Sequence, residues 1–148
     1  MEAAAAPATA ESFMRYGVYR QLTSEAGLQG DGWEVWMTEE VCLEGPARFG
    51  ICFTSGAPYQ VEQLTRYENS KTLIMCGDRS LVLTVADSQA QEPRSDDIRS
   101  FLINPGDIVL LNEGIWHDFG HGADGSAYCY FLAMDGARSL HSSPLHAG

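Results

Sequence analysis

The chain has 148 residues, 45% of them hydrophobic and 20% charged, with a formal net charge of −11 and a sequence pI near 4.5. That length suits one domain with a useful core. The acidity argues against nucleic acid and anionic membrane surfaces, which call for basic patches, and no apolar run approaches the roughly 20 residues of a membrane span.

Residues 1–8 read as a flexible tail without the basic n-region and long apolar stretch of a signal peptide, so the cytoplasm is the expected location. Thr9 is placed to cap a short helix through Phe13 and Tyr16, which Gly17 ends. Residues 18–22 read as an edge strand, and the polar, Gly-rich residues 23–32 as a loop. Trp33 to Met37 alternates like a strand, with Glu34 and Trp36 on one side. Residues 48–54 form the next strand. In the one that follows, Val61, Gln63, Thr65 and Tyr67 share one face, and Glu62, Leu64, Arg66 and Glu68 share the other. Residues 72–76 and 81–85 are apolar strands joined by Gly77-Asp78-Arg79. After a polar loop come strands at 99–104 and 107–111, and a long one at 126–134. Residues 136–148 read as a second flexible tail, leaving 9–135 as the single folded domain.

About nine short strands with turns every eight to twelve residues predict an all-β sandwich or barrel. No helix–strand alternation supports a parallel α/β sheet. Four separated cysteines, Cys42, Cys52, Cys76 and Cys129, read as reduced core thiols.

The chain is organised around residues 105–121. Pro105-Gly106-Asp107 suits a tight turn, Ile108 to Leu111 a buried strand, and Asn112-Glu113-Gly114 a second turn, with His117, after Trp116, at the start of the next strand. The spacing of Gly106, Gly114, His117 and His121 resembles the second motif of the cupin barrels, antiparallel double-stranded β-helices or jelly rolls. There the histidine at the place of His117 points into the barrel. His117 is thus the leading candidate for a pocket acid, base or ligand, whereas His121 reads as a surface residue. Metal-binding cupins also draw histidines from a first motif, but residues 59–77 contain none. Glu62 or Glu68 are the available oxygen donors there, so the metal ligand set stays open. Glu62, Arg66 and Tyr67 are candidates for a pocket opposite His117, where Arg66 suits a substrate carboxylate. Trp36 is a further candidate for substrate contact.

The chain also resembles the ureidoglycolate lyase family of cupin-like barrels over about residues 10–135. The matching segments are Glu11 to Gly17, Val61 to Tyr67, Leu81 to Val85, Arg99-Ser100-Phe101, Gly114-Ile115-Trp116-His117 and Phe131 to Asp135. The resemblance implies cleavage of ureidoglycolate to glyoxylate and urea in a homodimer, with a divalent metal such as nickel assisting. In that reaction His117 and Glu62 act as acid and base, while Arg66, Tyr67 and Trp36 hold the substrate. Two other readings use the same pocket: a cupin isomerase or epimerase of a sugar acid, and a non-catalytic cupin that binds a small ligand.

Overall fold

A computed structural model describes residues 5–41, 45–56, 60–87, 89, 92–134 and 140–144, with 134 and 140–144 as backbone only. The strands in chain order are β1 (Ala5–Pro7), β2 (Gly17–Gln21), β3 (Leu28–Gly30), β4 (Trp33–Val35), β5 (Ala47–Thr54), β6 (Gln63–Tyr67) and β7 (Thr72–Cys76). They continue with β8 (Leu81–Ala86), β9 (Ile98–Ile103), β10 (Asp107–Leu111), β11 (Trp116–His117), β12 (His121–Gly122), β13 (Ala127–Met134) and β14 (Leu140–Pro144). The helix α1 is Ala10–Phe13.

Two sheets face each other in a jelly-roll arrangement. The larger runs β1-β9-β8-β11-β6-β14, with β12 also on β8; the smaller runs β2-β10-β7-β13-β5. Strands β3 and β4 make a separate hairpin.

The main core lies between the sheets. The larger sheet contributes Leu81, Leu83, Val85, Phe101 and Ile103, and the smaller one Ile74, Cys76, Val109, Leu111 and Cys129. All six residues of β8 are buried, because its other face is covered as well. There Val61, Leu64, Ala86, Ile98 and Trp116 form a second, smaller cluster. Thr84 on that face is satisfied by the Ser100 hydroxyl at 3.1 Å, as a buried hydroxyl requires.

Thr9 caps α1 as its sequence position predicts. Its Oγ1 accepts from the Ser12 amide at 3.0 Å, and Ser12 Oγ accepts from the Thr9 amide at 3.0 Å. Phe13 is fully buried, edge-on to Phe101 with ring centroids 5.1 Å apart, so α1 closes one end of the core.

The nine expected strands are all present. β11 is the strand expected to begin at His117. Four more are not legible in the sequence: β3 and the two-residue β12 are too short to show a period, and β1 and β14 fall in the segments read as tails. Residues 5–7 instead pair parallel with β9, and 140–144 pair antiparallel with β6. Among the described residues no helix is long and apolar enough to cross a membrane. Cys52, Cys76 and Cys129 are free thiols; Cys42 lies outside the described residues.

Candidate active site

The site is built on an irregularity in the larger sheet. β11 pairs His117 with Val85, and β12 pairs His121 with Val82. Between these pairs the chain spends three residues, Asp118, Phe119 and Gly120, against only Leu83 and Thr84 on β8. This is a β-bulge, which breaks the ladder locally and re-aims side chains.

Asp118 repairs the broken ladder. Its own amide donates to the Thr84 carbonyl at 3.1 Å, and its Oδ1 accepts from the Thr84 amide at 3.0 Å. The Gly120 amide donates to the same Oδ1 at 3.0 Å. Gly120 sits at φ +80°, where a side chain would be strained, so the residue type permits this return. The second carboxylate oxygen, Oδ2, is buried and has no hydrogen-bond partner among the described residues. Burial raises the Asp118 carboxyl to about 6, against the lowering by its backbone donors. Burial raises the Cys52 and Cys129 thiols, and the Asp118 charge adds to it, so the carboxylate lies within electrostatic reach of the inner face of the smaller sheet.

His117 is 1% exposed and shares a face with Val85, a main-core residue, and with Thr65 across β6. The ring therefore points into the barrel. Nδ1 lies 2.9 Å from the Asp118 carbonyl. A carbonyl only accepts, so Nδ1 carries the hydrogen and Nε2 presents its lone pair. Nε2 is buried without a partner among the described residues. Burial lowers the imidazole to about 4, so the ring is neutral at pH 7. Tyr67 lies 5.8 Å from the ring and Phe119 stands edge-on at 5.1 Å. Phe119 in turn packs on Phe131 of β13 at 4.5 Å, linking the two sheets beside the imidazole.

The other predicted site residues divide by strand parity. β6 turns Thr65 and Tyr67 to the His117 face, and Leu64 and Arg66 to the opposite face. The expectation that Arg66 joins Tyr67 and His117 in one pocket is therefore corrected, because adjacent residues of a strand cannot share a face. Arg66 instead stacks 4.6 Å over Trp116 and pairs with Glu68 at 3.1 Å. Glu62 is exposed ahead of β6, so the structure does not bring it to His117. Trp36 is half-buried and donates from Nε1 to the Glu25 carbonyl, in the segment ahead of β3, rather than into the barrel interior. His121, read as a surface residue, is 4% exposed, and burial lowers its pKa.

Among the described residues no three His, Cys, Asp or Glu side chains converge to hold a metal ion. The described donors do not make up the three or four ligands that a divalent metal takes.

Asp118 was the functional candidate that sequence reasoning missed. Its signal was adjacency to His117 in a segment expected to lie near the core. The bulge that turns both residues to use was invisible.

No protein-family model matches the sequence, and no curated protein matches it. Solved structures do match. RmlC from Streptococcus suis in complex with dTDP-D-xylose aligns with a TM-score of 0.45 and 10% identity over 60% of this chain, which spans 44% of that one, less than half its length. The WlaRB TDP-quinovose 3,4-ketoisomerase from Campylobacter jejuni aligns with a TM-score of 0.55 and 14% identity, covering 79% of this chain and 85% of that one. The chain thus has a cupin-like fold, a mostly β jelly roll with one short helix.

Proposed function

We propose that this protein is a cupin isomerase or epimerase that moves a proton on a carbon beside the carbonyl of a sugar substrate, with His117 as the proton-transfer group. The observation that carries this reading is the Nε2 lone pair of His117, buried inside the barrel with no partner among the described residues and with its tautomer fixed by the Asp118 carbonyl. A buried acceptor without a partner costs about 1–3 kcal/mol, which a substrate hydroxyl or C–H in transfer offsets. The fold likeness to a sugar ketoisomerase supports the substrate class.

The step balances as a proton relay. Nε2 takes the proton from the carbon next to the carbonyl, and the electron pair moves onto the carbonyl oxygen as an enolate. Burial disfavours the imidazolium, so it gives its proton up again. For an isomerase, the hydroxyl proton of the deprotonated carbon passes to the enolate oxygen and Nε2 protonates the former carbonyl carbon. For an epimerase, a second acid protonates the same carbon from the opposite face and Nε2 releases its proton to water. Tyr67 and Thr65, on the same face, are the groups available to orient sugar hydroxyls. Asp118, with its raised carboxyl, titrates near neutrality and suits a second proton-transfer group.

The test is incubation in D₂O with a panel of free and TDP-linked keto sugars, read by NMR for deuterium beside the carbonyl. Incorporation that is lost in His117→Gln supports the reading, and no incorporation across the panel sinks it. Ureidoglycolate belongs in the same panel. Turnover there instead would favour the carbon–nitrogen lyase implied by the sequence motifs.

A further inference from the structure

Strand β5 is built inside out. Its inward positions include Gly50 and Cys52, while Phe49, Ile51 and Phe53 point outward, exposed at 88%, 57% and 63%. Strand β13 repeats the pattern. Ala127, Cys129 and Ala133 are buried inside, with Phe131 the large inward side chain, and Tyr128 and Tyr130 stand outside at 45% and 41%. The register sets Phe53 beside Tyr128 with ring centroids 5.1 Å apart, Ile51 beside Tyr130, and Phe49 beside Leu132. A solvent-facing antiparallel sheet alternates apolar-in and polar-out. Here the larger apolar side chains lie on the outer face.

Two further features narrow what covers this patch. β5 is the edge of its sheet and pairs only with β13 among the described residues, so an unpaired backbone row borders the patch. The far half of the same outer face is screened by the chain itself. Thr38, Glu39, Glu40 and Val41 line one groove of about 390 Å³ with outward residues of β2, β7 and β10, and Glu39 pairs with Arg20 at 3.0 Å.

We infer that the β5–β13 face is a homodimer interface, closed against the same face of a second copy around a two-fold axis near Ile51. The five exposed side chains present roughly 600 Å² per protomer, against the roughly 800 Å² a stable interface takes from each partner. Half-buried Met75 and Leu132, on the same outer face, extend it. None of these seven side chains is charged, although each copy carries −11. Two such copies repel least where they meet on an uncharged face. An isologous contact also needs only this one surface, whereas the face offers no charge by which to select a different partner.

The experiment is light scattering behind size exclusion on the full chain at tens of micromolar, with Phe49→Glu and Ile51→Lys beside wild type. Wild type is expected to be a dimer, and each variant to be weakened by roughly tenfold or more. Both positions are exposed, and circular dichroism verifies that the variants fold. Hydrogen exchange on wild type gives a readout independent of the variants: β5 amides gain protection as concentration rises. A monomeric wild type, a dimer indifferent to both substitutions, or β5 exchange independent of concentration overturns the inference.

Discussion

The imidazole of His117 donates from Nδ1 to the backbone carbonyl of Asp118 at 2.9 Å, the residue that directly follows it. One bulge thereby fixes the ring's tautomer, aims its lone pair inward and leaves a carboxylate oxygen of the same Asp118 without a hydrogen-bond partner among the described residues. Two adjacent residues carry the proposed proton chemistry, each held by backbone rather than by the other's side chain.

His117→Gln keeps a planar polar group at the site but removes the basic nitrogen. Turnover is expected to fall by roughly 10²- to 10⁴-fold, the range for loss of a general base. Steady-state kinetics on whichever keto sugar exchanges deuterium provides the check. A loss below threefold would remove His117 from the mechanism.

The pH dependence of stability separates the two residues. The native imidazole titrates near 4 rather than 6.5, so between those values the unfolded chain binds a proton that the native state does not. Stability from this source is present above 6.5 and lost as pH falls toward 4. Asp118 works in the opposite sense: between 3.8 and about 6 the native carboxyl keeps a proton that the unfolded one has released. Stability from that source falls as pH rises. Each displacement is worth on the order of 3 kcal/mol across its window, and in wild type they largely cancel. Asp118→Asn should therefore lose Tm more steeply than wild type from pH 6.5 to 4. His117→Gln should gain Tm relative to wild type over pH 6 to 4. Thermal melts across that range decide it, and parallel curves for all three proteins would contradict it.

Arg66→Ala tests the strand assignment. The guanidinium lies over Trp116 on the far side of the sheet from His117. Its loss should cost about 1 kcal/mol of stability through the missing cation–π contact and exposed indole. KM should change by less than about twofold, since uniform substrate binding is not removed. A large rise in KM would restore the carboxylate-clamp role suggested by the sequence.

Gly50→Ala probes the packing behind the site. A Cβ at Gly50 would come within 2.1 Å of the Phe131 ring, which packs on Phe119, which abuts His117. Overpacking of this kind costs typically about 1–3 kcal/mol. The shift should also lower turnover, because the imidazole loses its edge-on neighbour. Melting temperature and kcat measured together test the coupling, and a destabilised variant with unchanged kcat would show that Phe131 and Phe119 do not position the ring.

What the amino-acid order settled by itself is local. Thr9 ahead of an apolar pair gives the capped helix. Alternation in residues 63–67 and the apolar run at 81–86 give strands, and Gly114 before Trp116-His117 marks the turn into the site. These signals depend on neighbours in the chain, so they survive without a partner sheet. Faces and gaps needed the fold. That Arg66 faces away from His117 while Tyr67 shares its face depends on which side of β6 meets the other sheet, and Leu64 is buried on the far side in the same cluster as Trp116. That Asp118 matters depends on a three-against-two mismatch with β8, a strand more than thirty residues earlier. That Phe49, Ile51 and Phe53 face outward depends on Gly50 and Cys52 being the residues small enough to admit Phe131 inside. Each of these is decided by contacts between segments far apart in sequence, where no local pattern can hold the information.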